Sequence, residues 1–208
     1  MLLPFVSGNL AQDHKHDKFL HITLLNARSV CNKLPELHHL LYYENWQVVV
    51  ITETWLNSNI PDGLLDPSHR YHIFRCDRNV RRGGGVCVLV NRELNAVNVD
   101  ISECHSDVEL LCIDIIRCKA NCRLVAVYRS TDNTQQSDKF TKQLVQCIES
   151  VCCVSWPCFV VGDFNAPTID WSHLSVSSSG ADIHVLLIMD LHKLSTLPLA
   201  TAVFWISY

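Results

Sequence analysis

The sequence has no surplus of basic charge: 17 Lys and Arg stand against 21 Asp and Glu, a formal net charge of −4. This excludes binding of nucleic acid through bulk electrostatics and leaves only local contact by a few cationic side chains. No apolar run reaches the roughly 18 residues of a membrane helix. The nearest, 194–208, is interrupted by Ser195, Thr196, Pro198, Thr201 and Ser207, so no membrane partner is expected. Glycine and proline are scarce, seven of each, which excludes fibrous and low-complexity architectures. Charged residues at 18% beside 48% hydrophobic exclude disorder. The phosphate-cradling patterns GxGxxG and GxxxxGK[ST] are missing, and Gly83-Gly84-Gly85 follows arginines and precedes an apolar run rather than a helix.

Cysteine is abundant, eleven in 208 residues, but zinc-type spacing is absent: there is no CxxC and no HxxxH. Cys118-x3-Cys122 with Cys152, Cys153 and Cys158 makes a poor ligand set. With no basic segment ahead of the short apolar start Met1 to Val6, the thiols read as small buried hydrophobes in a reducing compartment, nucleus or cytoplasm. Length allows one domain, read as 19–208 behind a tail at 1–18.

Apolar periodicity orders the chain. Phe19 to Leu25 reads as a strand ending at Asn26-Ala27-Arg28-Ser29, and Leu34, Leu37, Leu40 and Leu41 mark a helix over Lys33 to Asn45. Trp46 to Ile51 is a strand buried on both faces, ending in Thr52-Glu53-Thr54-Trp55. Tyr71 to Arg75 and Val86 to Val90 flank the turn Asp77 to Gly85. Glu109 to Arg117 and Arg123 to Tyr128 form a second hairpin. Phe140, Leu144, Ile148 and Val151 share one stripe of a helix over Gln135 to Cys153. Pro157 to Val161 is a strand ending in Gly162-Asp163-Phe164-Asn165. A Ser-rich loop, Ser175 to Gly180, and a short helix from Ile183 follow. Strands and helices in this order give an α/β layered fold of mixed sheets, and the hairpins exclude a purely parallel doubly wound sheet.

Polar residues gather at strand ends, where layered α/β folds bind ligands. Glu53 and Asp163 are oxygen donors suited to Mg²⁺, with Mn²⁺ as an alternative ion. Asn26, Asn165 and Tyr128 are donors for charge developing on a phosphate. Taken singly, a carboxylate at a strand end is more commonly a turn or N-cap residue.

Together, Leu24 to Ser29, Ile51 to Leu56, Phe74 to Arg78 with Arg82 to Val86, Val127-Tyr128-Arg129 and Val161 to Asn165 resemble the endonuclease/exonuclease/phosphatase superfamily. More narrowly they are similar to the endonuclease domain of non-LTR retrotransposons, over about Phe19 to Trp171. The resemblance implies a four-layer α/β sandwich and Mg²⁺-dependent nicking of DNA, with a reverse transcriptase domain in the parent element. It implies Glu53 as metal ligand, Asn26 beside it at the metal and phosphate, Tyr128 on the scissile phosphate, Asp163 orienting the attacking water and Asn165 steadying the phosphate. Arg75, Arg78, Arg81 and Arg82 form the one dense basic run and are candidates for DNA backbone contact; the alternative pairs Arg75 or Arg78 with Asp77 in a solvated turn.

The closing Ser-Asp-His of the family pattern has no counterpart in the sequence, and the resemblance fades after Trp171. The domain is therefore expected to lack its final strands and its catalytic His. Two readings stay open, a Mg²⁺-dependent endonuclease and a catalytically inactive remnant of a mobile element with a binding role. A lipid-directed phosphodiesterase of the same superfamily is weaker, because the Arg-x-Asp-Arg and triple-glycine run points to the retrotransposon branch.

Overall fold

The computed structural model describes residues 20–78, 82–101, 108–117, 121–130, 135–165, 169–170, 173, 175–176 and 204–205. Strand β1 (Ile22–Asn26) runs through a 3₁₀ turn (Val30–Lys33) into helix α1 (Leu34–Tyr43), two residues shorter at its end than the periodicity predicts. Pro35 sits in the first turn of α1, where its missing N–H has no partner to lose. Strands β2 (Val48–Thr52), β3 (Tyr71–Cys76) and β4 (Val86–Asn91) complete a four-stranded sheet of order β1-β2-β4-β3, in which β1 and β2 are parallel and the other pairs antiparallel.

The second sheet contains β5 (Asn95–Asn98), β6 (Glu109–Ile116), β7 (Cys122–Tyr128) and β8 (Cys158–Asp163), with helix α2 (Gln135–Cys152) as the crossover between the parallel β7 and β8. β5 is an edge strand whose burial is slight, so it has no apolar run to announce it. A small antiparallel pair joins β9 (Ile169–Asp170) to β10 (Ser175–Val176), placing a strand at the start of the expected Ser-rich loop. β11 (Phe204–Trp205) lies parallel to β8 at the edge of the second sheet. The sequence gives no expectation of this strand. It is only two residues long, too short for periodicity to register. The tail at 1–18 and the helix expected from Ile183 lie outside the described residues.

Period-two alternation sorts the strands into layers. Val48, Val50, Val86 and Val88 face Ile113, Leu124, Ala126 and Val161 across the sheet–sheet interface. Val49, Ile51, Cys87 and Leu89 point the other way and pack on Leu37 and Leu41 of α1. Leu110, Cys112, Val125 and Val160 cover the outer side of the second sheet against Leu144, Cys147, Ile148 and Val151 of α2. The result is four layers, α1 with its loops, sheet, sheet, α2. Continuous burial of β2, β4 and β7 explains why they read as unbroken apolar runs. Among the described residues no helix is long and apolar enough to cross a membrane.

Candidate active site

Alternation also selects which residues face the gap between the sheets. Ala126 and Tyr128 share the inner face of β7, and Val161 and Asp163 share that of β8. Register pairs Tyr128 with Asp163, and Asn26 with Thr52, so four strand ends from two sheets meet at one end of the sandwich. The loops there are strapped together: Ala27 N–H donates to the Thr52 carbonyl at 2.9 Å, Ser29 N–H to that of Glu53 at 2.9 Å, and Trp55 N–H to that of Gly84 at 2.9 Å. Gly85, at φ 87°, passes so close to Thr54 that a Cβ would lie 2.5 Å from its hydroxyl.

Of seven described non-glycine residues with positive φ, five are Arg28, Ser29, Glu53, Trp55 and Asn165. Backbone strain is thus concentrated at these strand ends, as it is where side chains must be aimed at a common point.

Asn26 is the hub. Its Nδ2 donates to Glu53 Oε1 at 3.0 Å and to Asp163 Oδ2 at 2.8 Å, linking the first sheet to the second. Its Oδ1 is buried and without a hydrogen-bond partner. The two flanking carboxylates fix the amide's orientation, since a flip would set oxygen against oxygen. Asp163 is 9% exposed and its carboxyl is held above the ordinary range. Burial is the main cause and Glu53 adds repulsion, against the Asn165 N–H, the Asn26 amide and Arg28, which favour the charged form.

Asn165 donates its backbone N–H to Asp163 Oδ1 at 3.1 Å and an amide N–H to the Arg129 carbonyl at 2.6 Å. It therefore holds the Asp163 carboxylate as well as standing beside it. Tyr128 is 7% exposed, and burial with nearby Glu53 pushes its hydroxyl up to about 12, so it stays protonated.

The arginines separate. Arg75 donates to Asp62, Asp77 and the carbonyls of Ile60 and Asn57, which commits its guanidinium to tying down the β2–β3 loop rather than to a ligand. Arg78 donates through Nε to Glu109 Oε1 at 2.6 Å and lies 5.6 Å from the centre of the Tyr128 ring. Arg82 is exposed, lies 5.1 Å from the centre of the Trp55 ring, and has no carboxylate partner among the described residues. Arg81 lies outside the described residues.

Two contributors escape sequence reasoning. Glu109 starts β6 opposite Tyr128, is 6% exposed, and takes both Arg78 and the Gly85 N–H. Arg129, 5% exposed, donates to Thr141 and to the carbonyls of Phe164 and Asn165, shaping the turn that carries Asp163. An acid at the head of an apolar strand and a cation directly after a buried tyrosine were the available signals.

The donor chemistry is that of a hard divalent cation: the Glu53 and Asp163 carboxylates meet at the Asn26 amide, whose own oxygen is buried and unpartnered, so every candidate ligand atom is oxygen. Among the described residues no group of three or more His, Cys, Asp or Glu is placed to hold a metal ion, so the amide oxygen of Asn26 is needed to complete such a set.

The model of the Endonuclease/Exonuclease/phosphatase family matches residues 23–205. The chain belongs to this family. The family match extends beyond the stretch to Trp171 that its motifs mark, and takes in β11. No curated protein matches the chain in sequence.

Among solved structures the fold is similar to an AP endonuclease from Archaeoglobus fulgidus, with a TM-score of 0.60 and 15% identity over 83% of this chain and 71% of that one. It is similar to the Leishmania major AP endonuclease at 0.58 and 12%, over 83% and 66%. A 3′ phosphatase from Neisseria bound to a product DNA hairpin gives 0.54 and 14%, over 73% of this chain and 60% of that one. The chain thus spans about three fifths of the length of that Neisseria enzyme.

Proposed function

We propose that the strand-end site is a divalent-cation-dependent phosphodiesterase centre acting on DNA, of the branch carried by non-LTR retrotransposons beside a reverse transcriptase. The observation that carries the reading is Asn26, which bridges the Glu53 and Asp163 carboxylates while its own oxygen is left buried and unpaired. The Neisseria relative bound to product DNA supports DNA as the partner.

Glu53 and Asn26 Oδ1 would hold the cation, Mg²⁺ or Mn²⁺, which when bound supplies Lewis-acid polarisation of a phosphoryl oxygen. Asp163, its basicity raised by burial, orients the attacking water and accepts its proton. Tyr128, protonated throughout the neutral range, donates to a phosphate oxygen, and Asn165 keeps Asp163 aimed while offering its remaining amide N–H to the same phosphate. The sequence carries no Ser-Asp-His, and a family-type histidine acting on a proton accounts for a factor of about 10²–10⁴ in rate, so nicking by these 208 residues is slow. The reading of a binding remnant without turnover rests on the same missing triplet.

The test is nicking of supercoiled plasmid with Mg²⁺ and with EDTA, by the 208-residue chain and by a version extended with a Ser-Asp-His segment. The extended version is expected to gain EDTA-sensitive nicking that Glu53→Gln and Asp163→Asn each abolish. Nicking that survives both substitutions would remove this site from the reaction. Fast nicking by the unextended chain that Asp163→Asn eliminates would keep the site and overturn the slow-turnover part.

A further inference from the structure

Arg78 and the triple glycine have no part in the proposed chemistry, although both lie next to Tyr128. The charge of Arg78 is spent within the protein. Its Nε donates to Glu109 Oε1 at 2.6 Å, Nη2 pairs with the same carboxylate, and the two side chains are only 12% and 8% exposed. A pair this well buried costs both ions their hydration, so a gain in stability is a poor account of it.

The glycines build its seat. Glu109 Oε2 accepts the Gly85 N–H, so one carboxylate at the head of β6 holds both the cation and the backbone that leads into β4. Gly84, buried and at φ 70°, leaves the space that the guanidinium fills: a Cβ there would lie 2.5 Å from Arg78 Nε and 2.5 Å from Nη2. The Gly84 carbonyl takes the Trp55 N–H, which fixes the run from the Glu53 side as well. The guanidinium carbon stands 5.6 Å from the centre of the Tyr128 ring, within the range of a cation–π contact. Register sets Glu109 opposite Tyr128. Cation, carboxylate and phenol therefore form one group joining a loop of the first sheet to a strand end of the second.

We infer that Arg78 is a positioning residue for Tyr128, and that Gly83-Gly84-Gly85 is the seat that makes this possible. Held by Glu109 and admitted by the bare Gly84, the guanidinium packs on the phenol and stops the ring from swinging about its Cα–Cβ bond. The hydroxyl then stays aimed at the phosphate. Arg78 itself touches neither DNA nor metal in this role, and the triple glycine cradles a guanidinium rather than a phosphate. The inference rests on the proposed function for what Tyr128 addresses, but not for the seat.

The seat is read without turnover, in the 208-residue chain, from the Nε–Hε NMR signal of Arg78. Bound to a carboxylate and lying over a ring, this proton is expected to exchange slowly with water, to shift in Tyr128→Leu and to hold its position in Tyr128→Phe. Gly84→Ala is expected to abolish the signal. Gly83→Ala, also at positive φ (95°) but with its Cβ 4.0 Å from Arg78, is expected to leave it. An Arg78 signal unchanged in Gly84→Ala, or lost equally in Gly83→Ala, overturns the inference. Positioning is read in nicking by the extended version. Gly84→Ala, and Arg78→Gln combined with Glu109→Gln so that no charge is stranded, are each expected to lower kcat about tenfold or more with KM nearly unchanged. Neither should lower it further once Tyr128→Phe is present, and Arg78→Lys should lose less than Arg78→Gln. Losses that add to that of Tyr128→Phe overturn the inference. So does a fall of about 0.9 in the slope of log affinity for duplex DNA against log salt, measured in EDTA, which would make Arg78 a phosphate contact. An extended version that never nicks refutes the proposed function, and the NMR signal and the salt slope then decide the seat by themselves.

Discussion

Asn26→Asp is the substitution that most directly interrogates the centre. It replaces an amide donor that two carboxylates share, at 3.0 and 2.8 Å, by a third carboxyl group of nearly the same shape. Two unit charges 3 Å apart repel by about 5 kcal/mol at an effective dielectric near 20. Taking up a proton at pH 7 costs a carboxyl of ordinary pKa only about 4 kcal/mol, so the introduced group protonates instead of staying charged. That sets a ceiling of about 4 kcal/mol of destabilisation at pH 7, reduced by solvent screening at this half-buried site, and about 1.5 kcal/mol at pH 5. The sign follows from linkage: the folded variant binds a proton that its unfolded chain releases, so its stability falls as pH rises. A divalent cation reverses the penalty, because a third carboxylate is then a ligand. Urea unfolding of wild type and Asn26→Asp in EDTA and in Mg²⁺, at pH 5 and pH 7, reads all of this. Asn26→Ala, which loses two charge-assisted hydrogen bonds but adds no charge, separates the bond loss from the repulsion. A destabilisation of Asn26→Asp that is the same at both pH values would refute the meeting of Glu53 and Asp163 at the Asn26 amide, and one that Mg²⁺ leaves untouched would refute a cation site there.

Asp163→Asn is expected to stabilise the protein at neutral pH while ending turnover. The raised carboxyl contributes stability that is complete below the ordinary carboxylate pKa and is lost as pH rises through the higher folded value, so thermal melts of variant and wild type should converge on acidification. Gly162→Ala would place a Cβ 1.9 Å from the Val127 carbonyl oxygen in the β7–β8 pairing, and a loss of about 3 kcal/mol or more in urea unfolding is expected; a neutral result would mean the two strands are not in this register. Cys152 and Cys158, with sulfurs 3.1 Å apart, should be the first pair to couple under a mild oxidant, slowly, because the contact with Cys152 and, after it, burial push the Cys158 thiol up; peptide mapping that finds Cys153 crosslinked within the chain instead would contradict this geometry.

Much of the fold was legible because burial leaves a mark in composition. β2, β4, β7 and β8 are covered on both sides and so read as unbroken apolar runs, and the stripe Leu144, Ile148 and Val151 announces α2. The ends of those runs, at Asn26, Glu53, Tyr128 and Asp163, are where backbone leaves the apolar interior, which is why polar residues there stood out. β5 and β11 left no such mark: the first is an exposed polar edge and the second is two residues long.

What local sequence could not decide is which polar groups meet. Arg75 and Arg78 stand three residues apart in one basic run, yet one is locked onto Asp62 and Asp77 and the other onto Glu109, because successive strand and loop positions point to different layers. Asn26 and Asp163 are 137 residues apart and meet only because β1 and β8 end on the same side of two stacked sheets. The order of residues specified the strands and their polar ends. Stacking the sheets, which depends on long-range burial and register rather than on any local pattern, turned those ends into a site.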